Sequence, residues 1–214
     1  MNLSDDALRQ QLCDAGRQLY ARGLIGPTDG NFSALGADGA VLCSPSGCHK
    51  GALSPAQIVR VDRTGAPLGP GRPSSELKLH LALYAARPWV RCIVHAHPPT
   101  AVGLTVAGAG LDPPMVPEIL FAMGRCPTVA YASPTTHAVA EGVLSVIGEA
   151  EAFLLARHGS VVLGLSLDDA VMKTEVIEHT AKITLAALQA GPATPLSEAE
   201  LTRILTLRAA LGSR

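Results

Sequence analysis

An apolar run that ends in two histidines and two prolines, "VRCIVHAHPP" at residues 90–99, most restricts how this chain can fold. The run predicts a buried strand that stops at the prolines. Side chains alternate between the two faces of a strand, so His95 and His97 point the same way and Ala96 points the other way. Imidazoles in this arrangement can bind one metal ion, or they can lie in a polar corner of the core.

Length and composition allow one sizeable core. The chain has 214 residues, 48% of them hydrophobic and only 3% aromatic, so the core must be aliphatic and rich in alanine. Helix and strand patterns alternate, and several links are short enough to be hairpins. We therefore predict an α/β fold: a single domain over residues 1–214 with a mixed, mostly antiparallel central β-sheet flanked by helices. Helices are expected at 5–22, 100–108, 168–189 and within 73–88 and 196–211, and strands within 23–35, 40–47, 53–62, 90–99 and 153–164.

The charge pattern argues against a nucleic-acid partner, because 17 basic residues balance 18 acidic ones and no basic stripe is present. The longest charge-free apolar stretch, residues 100–111, is shorter than the roughly 18 residues of a membrane span. The acidic N-terminal sequence is unlike a secretory signal, and the five cysteines form no C-x-x-C pair. We expect a cytoplasmic protein with reduced thiols and no membrane partner.

A third histidine, His158, lies between two apolar runs in "FLLARHGSVVLG". The runs predict two short strands, which places His158 at a strand–turn junction where Gly159 permits a tight turn. Three neutral imidazoles with an open position are a standard ligand set for a catalytic divalent metal. The alternative is that each histidine is an ordinary core or surface residue. Burial of His158 without a partner would be costly, which favours the ligand set.

The segment "RPSSELKLH" begins a helix with two serines and a glutamate. Ser74 and Ser75, beside free backbone N–H groups, favour an anion such as phosphate. Glu76 in the same first turn is either a capping charge, or a proton shuttle or fourth ligand next to the metal. The glycine turns "PTDGNFS" and "SPSG" also place small polar side chains beside exposed N–H groups, as anion-binding loops do.

The other histidines are interpreted as structural or solvated. His80 lies four residues after Glu76 on the same helix face, and we interpret it as a packing residue near the site. His49, His137 and His179 have polar neighbours and are expected to be solvated.

Five motifs occur in the order "GNFS", "SPSG", "PSSE", "HAH" and "RHG". Together they resemble the class II aldolase/adducin-head family, and most closely its L-fuculose-1-phosphate aldolases. The resemblance extends from the first helix to the "LSEAEL" segment. It implies a mixed β-sheet flanked by helices and a cyclic homotetramer with active sites at subunit interfaces.

The resemblance also implies roles for individual residues. His95, His97 and His158 are expected to bind Zn²⁺, or Mn²⁺ or Co²⁺ in its place. Glu76 is expected to ligate the free metal and to act as acid or base when the substrate displaces it. The substrate phosphate is expected to contact Thr28, Asn31, Ser46, Gly47, Ser74 and Ser75.

The implied function is a metal-dependent aldolase. It would cleave a short ketose 1-phosphate, such as L-fuculose 1-phosphate, into dihydroxyacetone phosphate and an aldehyde through a metal-stabilised enediolate. Two positions depart from the pattern, because Phe121 and Leu211 stand where the aldolase has tyrosines that handle the aldehyde.

Two alternatives follow from the same resemblance. A 3-oxo-tetronate 4-phosphate decarboxylase also forms an enediolate, and it needs no acid beside an aldehyde. Ser75 favours the aldolase over this alternative, because the decarboxylase pattern often has a lysine there. The second alternative is a non-catalytic, adducin-head-like binding module, which has no need for three histidines and Glu76 together.

Overall fold

A central β-sheet organises the chain, whose computed structural model describes residues 3–212. Within those residues seven strands pair in the order β3-β2-β1-β4-β7-β6-β5, and every neighbouring pair is antiparallel except β5 with β6. The predicted mixed, mostly antiparallel sheet is therefore confirmed. The strands are β1 Asn31–Leu35, β2 Val41–Cys43, β3 Val59–Val61, β4 Cys92–Ala96, β5 Thr128–Val129, β6 Ala152–Leu155 and β7 Gly159–Gly164.

Helices cover both faces of this sheet. They are α1 Asp5–Ala21, α2 Leu77–Ala86, α3 Pro99–Val106, α4 Glu118–Met123, α5 His137–Ser145, α6 Leu167–Ala190 and α7 Glu198–Ala210, with short 3₁₀ turns at Lys50–Ala52 and Pro55–Gln57. Side-chain hydroxyls cap three of the helices: Ser4 accepts from the N–H of Ala7, and Ser166 and Ser197 make the equivalent bonds for α6 and α7.

The alternation of side chains divides the core into two layers. Phe32, Val94 and Val162 point to the face covered by α1, α3, α4, α6 and α7. Their strand neighbours Ile93 and Val161 point to the face covered by α2 and α5. Because His95 lies opposite Asn31 and Val161 in the ladder, its ring belongs to the second face.

A buried ion network fixes the C-terminal helix to the sheet. Lys173 on α6 lies 2.9 Å from both Asp169 and Glu151, and Arg208 on α7 donates to Glu151 at 2.9 Å. Glu151 precedes β6 directly, so one carboxylate joins two helices to a strand. Removing Glu151 would leave Arg208 without a carboxylate partner among the described residues and Lys173 with Asp169 alone, which is more costly than the pairs are stabilising.

Three short elements were not predicted from the sequence: α4, α5 and β5. Helix α4 has six residues and β5 has two, which is too few for a periodic pattern to develop. Helix α5 begins at His137, whose side chain is exposed as expected. Among residues 3–212 no helix is sufficiently long and apolar to cross a bilayer. All five cysteines lie in this part of the chain and are unpaired, as predicted.

Two helical glycines provide a matched test of the packing. A Cβ added to Gly16 in α1 would lie 2.3 Å from the backbone oxygen of Lys50, whereas at Gly103 in α3 nothing lies within 4 Å. We expect Gly16→Ala to lower the free energy of unfolding by about 1–3 kcal/mol, because the clash is with backbone. Gly103→Ala should raise it by about 0.5–1 kcal/mol. Urea denaturation of both variants checks this, and equal effects would contradict the described contact of α1.

Candidate metal and active site

Three imidazoles from separate parts of the chain meet at one end of the sheet. His95 is the penultimate residue of β4, His97 follows that strand, and His158 lies in the turn between β6 and β7. Their ligand atoms all lie within 4.8 Å of one another. The ring of His95 is 4.8 Å from each of the other two rings, which are 5.1 Å apart. The predicted set is therefore brought together, although His97 lies just outside the strand.

A close backbone approach places His158 beside His95. Strands β4 and β7 are antiparallel, with Ala96 opposite Ser160. A Cβ on Gly159 would lie 2.4 Å from the carbonyl oxygen of Ala96 and 2.9 Å from the ring of His95. The sequence suggested that Gly159 permits the turn, but the positive φ belongs to Arg157, at 60°. Gly159 is instead required because no side chain fits there.

A backbone carbonyl sets the tautomer of His95. Its Nδ1 lies 2.9 Å from the carbonyl oxygen of Ser160, and since a carbonyl only accepts, Nδ1 carries the proton. In the neutral ring the lone pair of Nε2 then points into the cluster. Metal-binding histidines are commonly oriented by such a contact on the other ring nitrogen.

Glu76 lies within reach of two of the imidazoles. Its Oε2 is 3.1 Å from Nε2 of His95, and its Oε1 is 3.4 Å from Nε2 of His158. The side-chain amide of Asn31 donates to Oε2 at 2.9 Å. Burial raises the pKa of Glu76, but the hydrogen bond and charge that His95 offers when protonated, the charge of protonated His158 and the Asn31 amide outweigh burial and lower the pKa to about 2. The carboxyl group is therefore ionised.

The position of Glu76 differs from the predicted one. It is the N-cap residue of α2 and does not lie in the first turn, and its side chain makes no capping hydrogen bond. Ser74 supplies the local contact instead, because its hydroxyl accepts from the N–H of Glu76 at 3.3 Å. The carboxylate thus contacts the histidines and makes no capping hydrogen bond to its own helix.

The donor atoms fit a divalent cation. Nε2 of His95 lies 3.0 Å from Nε2 of His97 as well as 3.1 Å from Glu76, so lone pairs face one another. Tetrahedral ligands at Zn–N distances of about 2.0–2.1 Å lie roughly 3.3 Å apart, close to these separations. Burial lowers the pKa of His97 to about 4, and burial also lowers that of His158, so both rings are neutral near pH 7. Neutral imidazole is the form that binds metal.

A buried hydrogen-bond chain lies under Glu76. Nδ1 of His80 is 2.7 Å from the hydroxyl of Ser33, which is 2.9 Å from the hydroxyl of Tyr84. His80 is fully enclosed, and burial lowers its pKa to about 3. The ring makes none of the contacts that join the three clustered histidines, in agreement with the packing role expected for it.

The six residues expected at the phosphate lie on three neighbouring segments. Segment 44–46 runs beside 72–74, because the N–H of Ser46 donates to Arg72 at 2.9 Å and that of Ser74 to Ser44 at 3.3 Å. Gly47 has a positive φ of 70° and open space around it. The side chain of Asn31 contacts Glu76, and its Oδ1 is buried without a partner among residues 3–212. The phosphate role of Thr28, Asn31, Ser46, Gly47, Ser74 and Ser75 stays a prediction.

The two positions without a tyrosine hydroxyl lie on α4 and directly after α7. Phe121 on α4 is 40% exposed and Leu211, just after α7, is 74% exposed. Arg208 joins these elements, because its Nε donates to the carbonyl of Phe121 at 3.1 Å. Both side chains are apolar surfaces, so neither can supply a proton.

Metal analysis tests the imidazole cluster. We expect the purified protein to hold one divalent ion per chain. His95→Ala should lose most of this ion, because the two remaining imidazoles and the Glu76 carboxylate bind it only weakly. His179→Ala, at an exposed position on α6, is the matched control and should keep the ion. Elemental analysis after gel filtration measures both, and an ion retained by His95→Ala would contradict the site.

The pH dependence of stability tests the burial of His80. Its pKa is about 3 in the folded chain and about 6.5 when unfolded, so between these values only the unfolded chain binds the proton. Stability therefore falls as the pH falls. With chelator present, the parent chain should lose about 1 kcal/mol more than His80→Gln between pH 7.5 and pH 5.5. Urea denaturation measures the difference, and parallel curves would show that His80 is not buried as described.

Comparison with known proteins identifies a family for this chain. Residues 10–185 match the model of the Class II Aldolase and Adducin N-terminal domain family. The chain is 34% identical over 184 residues to the 3-oxo-tetronate 4-phosphate decarboxylase of Escherichia coli K12, covering 84% of this chain and 86% of that protein. It is 32% identical over 203 residues to the L-fuculose phosphate aldolase of Haemophilus influenzae, covering 92% and 91%.

A solved structure shares the fold as well. YgbL from Escherichia coli superimposes with a TM-score of 0.86 at 31% identity, covering 94% of this chain and 99% of that one. Named members of the family are lyases that act on phosphorylated sugars or sugar acids, which agrees with the enzyme class expected from the motifs. The chain therefore belongs to the class II aldolase and adducin N-terminal domain family.

Proposed function

We propose that this chain is a metal-dependent decarboxylase that acts on a 3-oxo-tetronate 4-phosphate or a close analogue. The observation that carries this choice within the family is the absence of a hydroxyl at Phe121 and Leu211, where an aldolase has tyrosines for its aldehyde product. Decarboxylation forms no aldehyde, so it needs no such hydroxyl. The 34% identity to the 3-oxo-tetronate 4-phosphate decarboxylase of Escherichia coli K12 supports the same choice.

The imidazoles of His95, His97 and His158, with Glu76, are the residues that would hold the cation. A divalent ion bound there supplies Lewis-acid polarisation of a carbonyl and stabilises negative charge on oxygen. We propose Zn²⁺, with Mn²⁺ or Co²⁺ as alternatives, because three imidazoles and one carboxylate suit each of these ions.

Glu76 is the residue that can move the proton the reaction requires. Loss of carbon dioxide breaks one carbon–carbon bond, leaves its electron pair on the substrate and requires one proton at the carbon that lost the carboxylate. With a pKa of about 2 the resting carboxyl is ionised, so it must first take up a proton from the solvent. Substrate binding allows this by replacing its contacts with His95 and His158, and Glu76 then delivers the proton.

The polar loops around Glu76 would hold the phosphate. Ser74 and Ser75 lie at the start of α2, and the turn at Ser46–Gly47 runs beside them. Hydroxyls and N–H groups in such turns bind phosphate oxygens. A bound phosphate fixes the distance from the reacting carbon to Glu76, so the free energy of phosphate binding is used to orient the substrate.

The aldolase reaction, which the sequence motifs favour, is the second candidate. Ser75 favours it, and so does the similarity to the fuculose phosphate aldolase. The non-catalytic binding module has less support, because the carboxylate of Glu76 is within 3.4 Å of two of three converging imidazoles. The homotetramer and the cytoplasmic location stay proposals from the family resemblance.

Carbon dioxide release distinguishes the two reactions. We expect the metal-loaded protein to release one equivalent of carbon dioxide from 3-oxo-tetronate 4-phosphate and to leave L-fuculose 1-phosphate intact. Glu76→Gln should lower kcat by about 10²–10⁴, because the amide cannot carry the proton. A coupled assay for carbon dioxide and an aldehyde assay measure the products. Cleavage of the ketose phosphate without carbon dioxide release would replace the decarboxylase by the aldolase.

A further inference from the structure

A lysine that no motif predicted is buried between two of the loops described above. Lys50 begins the short turn Lys50–Ala52 and is only 2% exposed. Its ammonium donates to the carbonyl of Cys48 at 3.1 Å and to that of Thr28 at 3.4 Å. Its backbone N–H donates to Pro27 at 2.7 Å. The cation therefore lies between the loop of Thr28 and the loop of Ser46–Gly47.

This charge has no close carboxylate partner in the part of the chain that the structure describes. Asp29 is the carboxylate whose charge acts on Lys50. It is half exposed and lies 3.7 Å from Nδ1 of His97. Burial lowers the pKa of Lys50, while Cys48 and Asp29 oppose the shift. An ammonium offers three N–H donors, and here two carbonyls accept, one of them at a long distance.

A buried cation without a counter-ion is costly for a fold. Apolar side chains of similar volume often replace buried charges at no loss of stability, so packing alone does not require a lysine here. The loops on both sides carry Thr28, Ser46 and Gly47, three of the residues expected to contact the substrate phosphate. An arriving dianion would supply the missing opposite charge at this location.

We infer that Lys50 is a positioning residue for the substrate phosphate, which it attracts toward the loops of Thr28 and Ser46–Gly47. This rests on the proposed function only in requiring a phosphorylated substrate. The hydroxyls and N–H groups of the loops make the directional hydrogen bonds, and the ammonium behind them supplies the charge. Lys50 thereby favours phosphorylated substrates over their unphosphorylated analogues, whichever carbon–carbon bond breaks.

Binding of inorganic phosphate tests this without any assay of turnover. The purified protein, Lys50→Met and Lys182→Met are titrated by calorimetry at constant ionic strength, and their melting temperatures are measured without phosphate. Lys182 is the matched control, because its side chain is 64% exposed on α6. We expect Lys50→Met to bind phosphate at least about tenfold more weakly, since a charge in this setting contributes that much or more. Its melting temperature should stay equal or rise.

The outcomes separate this inference from the proposed reaction. Phosphate affinity that is unchanged in Lys50→Met, or absent in the parent chain, would overturn it. Weak affinity together with a lowered melting temperature in both Lys50→Met and Lys50→Gln would assign Lys50 to loop packing and also overturn it. Lys50→Gln replaces Lys50→Met in these measurements if Lys50→Met does not fold. Failure to release carbon dioxide from 3-oxo-tetronate 4-phosphate would contradict only the proposed reaction. A tenfold loss of phosphate affinity in Lys50→Met would still support the role of Lys50.

Discussion

The approach of the β6–β7 turn to the end of β4 is the contact on which the site depends. Ala96 lies opposite Ser160 in the ladder, and the missing side chain of Gly159 allows the turn to approach the ring of His95. The same ladder supplies the Ser160 carbonyl that sets the tautomer of that ring. A shift of one residue in this register would turn His95 to the opposite face, so the antiparallel pairing determines both the position of His95 and its tautomer.

The electrostatics of the site follow from this enclosed geometry. Burial favours neutral His97 and His158, whereas Glu76 is ionised because its pKa is lowered to about 2. One anionic group among neutral donors attracts a cation more strongly than imidazoles alone. Under the proposed function the same carboxylate would also deliver the proton, so one side chain would serve both tasks.

The sequence predicts the regular parts of this arrangement. The apolar run before His95, the two runs around His158 and the capped helices all have local signals, and their predicted elements are confirmed. The tertiary contacts are harder to predict from the sequence. The position of Glu76 as the N-cap of α2 depends on its contacts with the histidines. The need for a glycine at position 159 depends on Ala96, in a strand about sixty residues earlier in the sequence. Lys50 had no signal, because its burial results from two loops that meet only in the folded chain.

The division of the sheet into two faces has a consequence for how such a chain can change. Asn31, Ser33 and His95 belong to the face under α2, while Phe32, Val94 and Val162 point to the other side of the sheet. Mutations that improve packing on that other side can accumulate as a reserve of stability. Such a reserve would let the chemical face acquire strained or charged residues, and with them new substrates, without unfolding the molecule.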